Sequence, residues 1–184
     1  MKQNRRIRIS QPTSLLLVAT VAACISLTPQ VYGATPAGPC STSPENHALD
    51  FWLGDWNIAG PGSAPTAKSS VTTVLDQCVL VETWDGGRGH TGQNWFGYNA
   101  EDKSWHGMFA DNQGRVHVFV DGKVASGTAD FSGPSLGSDG ETVVNRVRIV
   151  RISPEKVEQI WEKSTDHGTT WTTEFRGEYS RKKS

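Results

Sequence analysis

The chain has 184 residues with 18 basic and 19 acidic side chains, and four of the basic ones fall in the first 33 positions, where there is no acid. Without that segment, 14 basic residues face 19 acids over 151 residues, a net charge of −5. A phosphate-binding surface needs a positive excess or stripe, so this balance excludes nucleic acid as a partner. The remaining length suits one domain around one core.

Lys2, Arg5, Arg6 and Arg8 precede an apolar run from Leu15 to Leu27 that only Thr20 and Ser26 interrupt. A charged start followed by a short apolar stretch is the pattern of a secretory signal, and the run is too short for a membrane span. Cleavage after Gly33 puts Val31 and Gly33 where compact side chains are needed, with Ala34 as a nearby alternative. Val21-Ala22-Ala23-Cys24 also resembles a bacterial lipobox, which would make Cys24 a lipidated N-terminus. Ordinary cleavage fits better, because Ile25 and Leu27 continue the apolar run beyond Cys24. Arg5-Arg6 adds a hint of twin-arginine export. The expected location is periplasmic or extracellular, with no transmembrane segment in the mature chain.

Two cysteines remain after Gly33, Cys40 and Cys78, and an even pair in an oxidising compartment predicts a disulfide. Closing that long loop is worth about 4 kcal/mol on loop-entropy grounds. Residues 34–43 are rich in Pro, Gly, Ser and Thr and read as an extended tether. Ser43-Pro44-Glu45 has the form of a helix start, predicting a short helix of about two turns over 44–52. It leads into Asp50-Phe51-Trp52-Leu53-Gly54-Asp55-Trp56, where Gly54 separates two large rings. This stretch is expected to enter a curved sheet, with Trp52 and Trp56 plugging one end and Gly54 leaving room for a close approach.

From there the chain reads as β throughout. Turn clusters recur at Gly60-Pro61-Gly62, Asp85-Gly86-Gly87, Asn99 to Asp102, Asp111 to Gly114, Asp121-Gly122 and Ser138-Asp139-Gly140. Between them lie strand-sized segments rich in Val, Thr, Ile and Trp. Arg115 to Asp121 alternates most clearly, with Val116, Val118 and Val120 on one face and Arg115, His117 and Asp121 on the other. Nine or ten such strands joined by short links imply an all-β antiparallel meander, and closure into a barrel disposes of both edges. The barrel domain is expected over 44–181, followed by a basic tail at 182–184. The segment Ser164 to Trp171 resembles the Asp-box hairpin, Ser-x-Asp-x-Gly-x-x-Trp, at Ser164, Asp166, Gly168 and Trp171. A single such hairpin is a folding device, so it implies no glycosidase activity.

The histidines, His47, His90, His106, His117 and His167, form no metal-binding spacing, and no nucleophile elbow or phosphate-binding loop is present. No cofactor and no metal are expected. Polar residues inside apolar strands carry more information. Glu82 shares a face with Leu80 and Trp84, so inside a lumen its carboxylate must be paired or protonated. Arg146 and Gln159 lie in later strands, and a Glu82–Arg146 pair supported by Gln159 is one expectation; outward-facing side chains are the other. His106, beside Trp105, is the histidine best placed to face a pocket. Trp84, Trp95, Trp105 and Trp161 fall in four different predicted strands, where they either line a pocket for a flat apolar ligand or pack as ordinary core.

Taken together, Cys40, the Asp50 to Trp56 motif, Cys78 with Glu82 and Trp84, Trp105, Asp111 with Gly114, Arg146, Gln159-Ile160-Trp161-Glu162 and Ser164 to Trp171 resemble an uncharacterised family of exported bacterial proteins. The resemblance spans residues 40–179 and implies no assigned activity; His167 stands where that family usually has glycine. Gly54-Asp55-Trp56 is also similar to the Gly-x-Trp signature of calycin barrels, the lipocalins and haem-binding nitrobindins, which implies a lumen ligand. A haem would need a proximal histidine on a late strand, and His167 lies in a turn. The expectation is therefore a barrel that binds a small apolar or aromatic ligand through Glu82, Trp84, Trp95, Trp105, His106, Asp111, Arg146, Gln159 and Trp161. The alternatives are an enzyme using Glu82 or Asp111 as general acid/base, and a ligand-free surface interaction module.

Overall fold

The computed structural model describes residues 38–137 and 139–183. The export signal, its cleavage at Gly33 and the lipid-anchored alternative at Cys24 lie outside the described residues. The body consists of ten strands: β1 (Gly54–Ala59), β2 (Ala67–Val74), β3 (Val79–Asp85), β4 (Thr91–Asn99), β5 (Ser104–Asp111), β6 (Val116–Ala125), β7 (Thr128–Leu136), β8 (Thr142–Ser153), β9 (Lys156–Ser164) and β10 (Thr172–Arg181). Each pairs antiparallel with its neighbour in sequence. β1 pairs with β10 from Trp56↔Arg181 to Ala59↔Glu178, so the sheet closes and no edge is left to template another strand. Among the described residues no helix is long and apolar enough to cross a membrane.

The expected helix over 44–52 is replaced by turns over 44–49 and a 3-10 turn over Asp50–Trp52, preceded by another 3-10 turn at Pro39–Thr42. The backbone bonds are of i→i−3 type, from His47 to Pro44, Trp52 to Leu49 and Leu53 to Asp50. Two local causes are visible. Ser43 Oγ donates to the Glu45 carboxylate at 2.7 Å instead of capping a backbone amide. Leu49 and Trp52, three residues apart, are both fully buried, and the 3-10 period stacks them directly in line where an α-helical turn would offset them around the axis. The Cys40–Cys78 disulfide is formed and ties this segment to the start of β3 across a separation of 38 residues.

The plug fills one end of the barrel. Trp52 packs against Phe96 and Tyr179, each at a centroid distance of 6.1 Å, and its carbonyl accepts the Trp56 indole N–H at 2.9 Å. Phe96, Phe119, Phe131, Val147 and Ile149 complete a packed core around it. Phe96 fits only because β5 carries Gly107 opposite; a Cβ there would lie 2.5 Å from the ring. Gly54 is needed for a different reason than its flanking tryptophans suggest. Its φ is +120°, and the space beside it holds the Arg181 guanidinium, which stacks over Trp56 at 4.3 Å.

The alternation in β6 is present from Val116 to Val120 and then breaks: Asp121, expected on the face of His117, is exposed beside Val120. Val116, Val118 and Val120 are 57, 49 and 54 % exposed, while His117 and Phe119 point inward. Phe119 fills the core, so the register places the valines on the outer wall. Met108 pairs with both Trp95 and Val118, which makes an apolar band across β4, β5 and β6 on the barrel exterior.

Candidate functional site

The end of the barrel opposite the plug is open. A cavity of about 550 Å³ enters between the strand ends, with Glu82, Asn94, Asn145 and Gln159 deep in it. Trp84, Phe109, His117, Trp161 and Phe175 form its walls, and Arg115, Leu136, Lys163 and Glu174 stand around it. The aromatic walls support one another edge to face. Trp161 meets Phe109 at 5.1 Å and His117 at 4.9 Å, and Trp84 meets His90 at 4.9 Å. That size and lining suit a small, mostly apolar molecule.

The floor is a chain of buried polar groups centred on Glu82, which is fully buried. Ser69 donates to Glu82 Oε1 at 2.6 Å and Asn94 Nδ2 donates to Oε2 at 2.7 Å. Tyr179 Oη lies 3.0 Å from Glu82 Oε1 and 2.6 Å from Gln159 Oε1. Burial pushes the Glu82 carboxyl above its ordinary value against the pull of these three donors. Burial, with the nearby carboxylate, also drives Tyr179 well above the usual phenol range, so its hydroxyl stays protonated. Tyr179 has one proton and two acceptors within reach. With Glu82 protonated, its O–H donates to Tyr179 Oη and Tyr179 donates on to Gln159 Oε1, so each hydroxyl proton of that chain has an acceptor. Trp161 Nε1 donates to Asn145 Oδ1 at 3.0 Å, and Asn145 Nδ2 to Ser135 Oγ at 2.6 Å.

A raised carboxyl has a definite stability consequence. The folded protein holds the Glu82 proton over a pH range in which the unfolded chain has released it. Stability from this group is therefore fully present below the ordinary value of 4.5 and is lost as pH rises from there through the raised folded value. Substituting Glu82→Gln keeps the shape and removes the titration. The melting temperature of the variant is expected to fall less than that of the wild type as pH rises above 4.5. Parallel melting-temperature profiles would remove Glu82 as the source.

The structure separates the sequence candidates. Glu82, Trp84, Gln159 and Trp161 come together around the cavity. Trp95 stands on the outer wall, 44 % exposed, because its neighbour Phe96 takes the inward position. Trp105 is buried toward the plug end, against Tyr98 and Phe131. His106 lies outside the barrel, 2.7 Å from Asp102 and 2.9 Å from Ser104. Arg146 does not meet Glu82. It faces outward, makes two bonds to Glu162 at 2.9 and 2.6 Å, and stacks over Trp171 at 4.0 Å.

Asp111 sits beside the mouth with its side chain covered. Burial opposes its ionisation, yet bonds from His90, the Arg115 side chain and the backbone N–H groups of Arg115 and Gln113 hold it well below the carboxylate range. An anion held by that many donors is a fixed brace for the Asp111–Arg115 turn and is unsuited to general acid/base work. In the Ser164–Trp171 loop, Asp166 accepts the Thr170 N–H at 2.8 Å and the Thr170 hydroxyl at 2.7 Å, which lowers its carboxyl to about 2. Gly168 (φ 88°) and His167 (φ 54°) both take left-handed backbone, and Trp171 donates back to the Gly168 carbonyl at 3.1 Å.

Ser69, Asn94, His117, Asn145 and Tyr179 were not among the sequence candidates. A signal for two of them exists: Asn94 alternates with Phe96 and Tyr98 in β4, and Tyr179 with Phe175 and Gly177 in β10. A polar group in step with aromatics marks a lumen polar position. No protein-family model and no curated protein matches the chain.

Proposed function

We propose that this protein binds a small apolar or aromatic ligand in the open half of its barrel. The observation that carries this reading is the half-filled lumen: the plug end is packed with large side chains, while the other end keeps a cavity of about 550 Å³ with a buried polar floor. A chain selected only for a packed core or for surface contacts has no reason to retain both the space and the buried hydrogen-bonded groups, since each lowers stability unless something occupies the site. The resemblance to calycin barrels points the same way. Export to the periplasm or the extracellular space fits the N-terminal sequence and the disulfide.

Titration with the amphipathic aromatic dye anilinonaphthalene sulfonate tests the reading. The expected result is saturable one-to-one binding that quenches tryptophan emission and is lost in Val143→Trp, which puts an indole into the cavity; circular dichroism checks that the variant folds. Binding that Val143→Trp leaves unchanged would put the dye on the outer band of Trp95, Met108 and Val118 and sink the lumen assignment.

Catalysis is the second reading, favoured by one observation. Burial raises the Glu82 carboxyl at the base of an accessible cavity, which favours the protonated form that a general acid needs. Of the two carboxylates weighed from the sequence, only Glu82 suits that role.

A further inference from the structure

Two amides on the cavity floor are bonded to protein at one end only. Asn94 gives Nδ2 to Glu82, and its covered Oδ1 has no partner. Gln159 accepts from Tyr179 at Oε1, and among the described residues no protein group accepts from its Nε2. Both residues are 4 % exposed and both line the cavity. Their neighbours offer no relief. Glu82 Oε1 is taken by Ser69 and Tyr179, Oε2 by Asn94, and Asn145 is committed to Ser135 and Trp161. Folded proteins rarely leave a buried acceptor unpaired, and where they do the vacancy calls for an explanation. Here the covered acceptor on Asn94 is matched by a donor on Gln159, whose Nε2 is open to the cavity, the two joined by the Glu82–Tyr179 link.

Resting on the lumen-binding reading, we propose that the ligand is a flat apolar molecule of the cyclic-amide class, whose N–H donates to Asn94 Oδ1 and whose carbonyl accepts from Gln159 Nε2. The aromatic walls of Trp84, Phe109, Trp161 and Phe175 supply faces and edges for a planar body. With Glu82 protonated the floor carries no formal charge, which suits an uncharged polar edge better than an ion.

Four tricyclic probes of similar shape test the match: fluorene has neither group, carbazole the N–H, fluorenone the carbonyl and phenanthridinone both. Affinities are read by displacement of anilinonaphthalene sulfonate and by tryptophan quenching. Carbazole and fluorenone are each expected to bind about tenfold tighter than fluorene, and phenanthridinone about a hundredfold tighter, because each probe group satisfies one buried partner. Asn94→Leu should abolish the carbazole advantage and keep that of fluorenone; Gln159→Met should do the reverse. The wild-type order needs no variant, so the test stands even if one of them fails to fold. Affinities within about twofold for all four probes would overturn the polar match and leave the lumen reading in place. Failure of every probe to bind the folded protein would overturn both.

Discussion

Replacing Cys40 and Cys78 by serine is expected to lower the unfolding free energy by about 4 kcal/mol and the melting temperature by about 8–16 °C. The bond closes a loop of 38 residues. Most of its effect falls on the unfolded chain, which gains freedom when the loop opens, and the folded barrel keeps its ten strands and its pairing. The folded state also loses a tether. Residues 38–53 reach the barrel through the disulfide, through Asn46 donating to the Cys78 carbonyl at 3.5 Å, and through the buried Leu49 and Trp52. Denaturant unfolding of the oxidised protein and the double variant measures the difference. A loss below about 1 kcal/mol would mean that plug packing already constrains the reduced chain and that the loop-entropy account fails here.

Trp52→Ala is expected to cost about 4 kcal/mol, and Trp52→Phe much less. Trp52 is fully buried at the centre of the plug, touching Phe96 and Tyr179, so alanine leaves a cavity that a closed barrel has little freedom to collapse. Phenylalanine loses volume too, but it removes a liability, because the Trp52 indole N–H is buried with no partner. The comparison therefore separates packing from polar satisfaction. Equal losses for the two variants would mean that the indole has a function its surroundings do not show. The consequence reaches the site, since Trp52 supports Tyr179, which holds Glu82 and Gln159. Trp52→Ala should weaken binding of anilinonaphthalene sulfonate as well as stability.

The strands and their closure were legible because turn residues punctuate most of the chain from Gly60 onward, although Asp121-Gly122, read as a turn, lies inside β6. The plug was legible as well, because a run with Phe51, Trp52 and Trp56 around Gly54 has few other uses. Its backbone form was not. Ser43-Pro44-Glu45 has the composition of a helix start, but the hydroxyl bonds a side chain, and the spacing of Leu49 and Trp52 favours the tighter 3-10 period. Glu82 stood out as a lone carboxylate amid apolar neighbours, and it is the centre of the floor. Arg146 gave the same kind of signal and faces out. In β8 both alternating series contain apolar residues, Val143 and Val147 inward, Val144 and Val150 outward, so nothing local chooses the face of Arg146.

By itself, the sequence determined the class of the fold, the disulfide and the plug, and it singled out Glu82. Each rests on residue type and spacing, which act locally or through strong chemical constraint. Only the tertiary structure decided which face of each strand is the lumen, and with it the site. A period-two pattern is unchanged in form when the faces are exchanged, and the choice is made by register around the closed sheet. That register turns Val116, Val118 and Val120 outward and Phe119 inward, and sets Asn94 into the lumen while its neighbour Trp95 stays outside. It also brings Tyr179 to Glu82 across 97 residues of chain. No local pattern encodes a contact that exists only because β10 returns to β1 and the barrel closes.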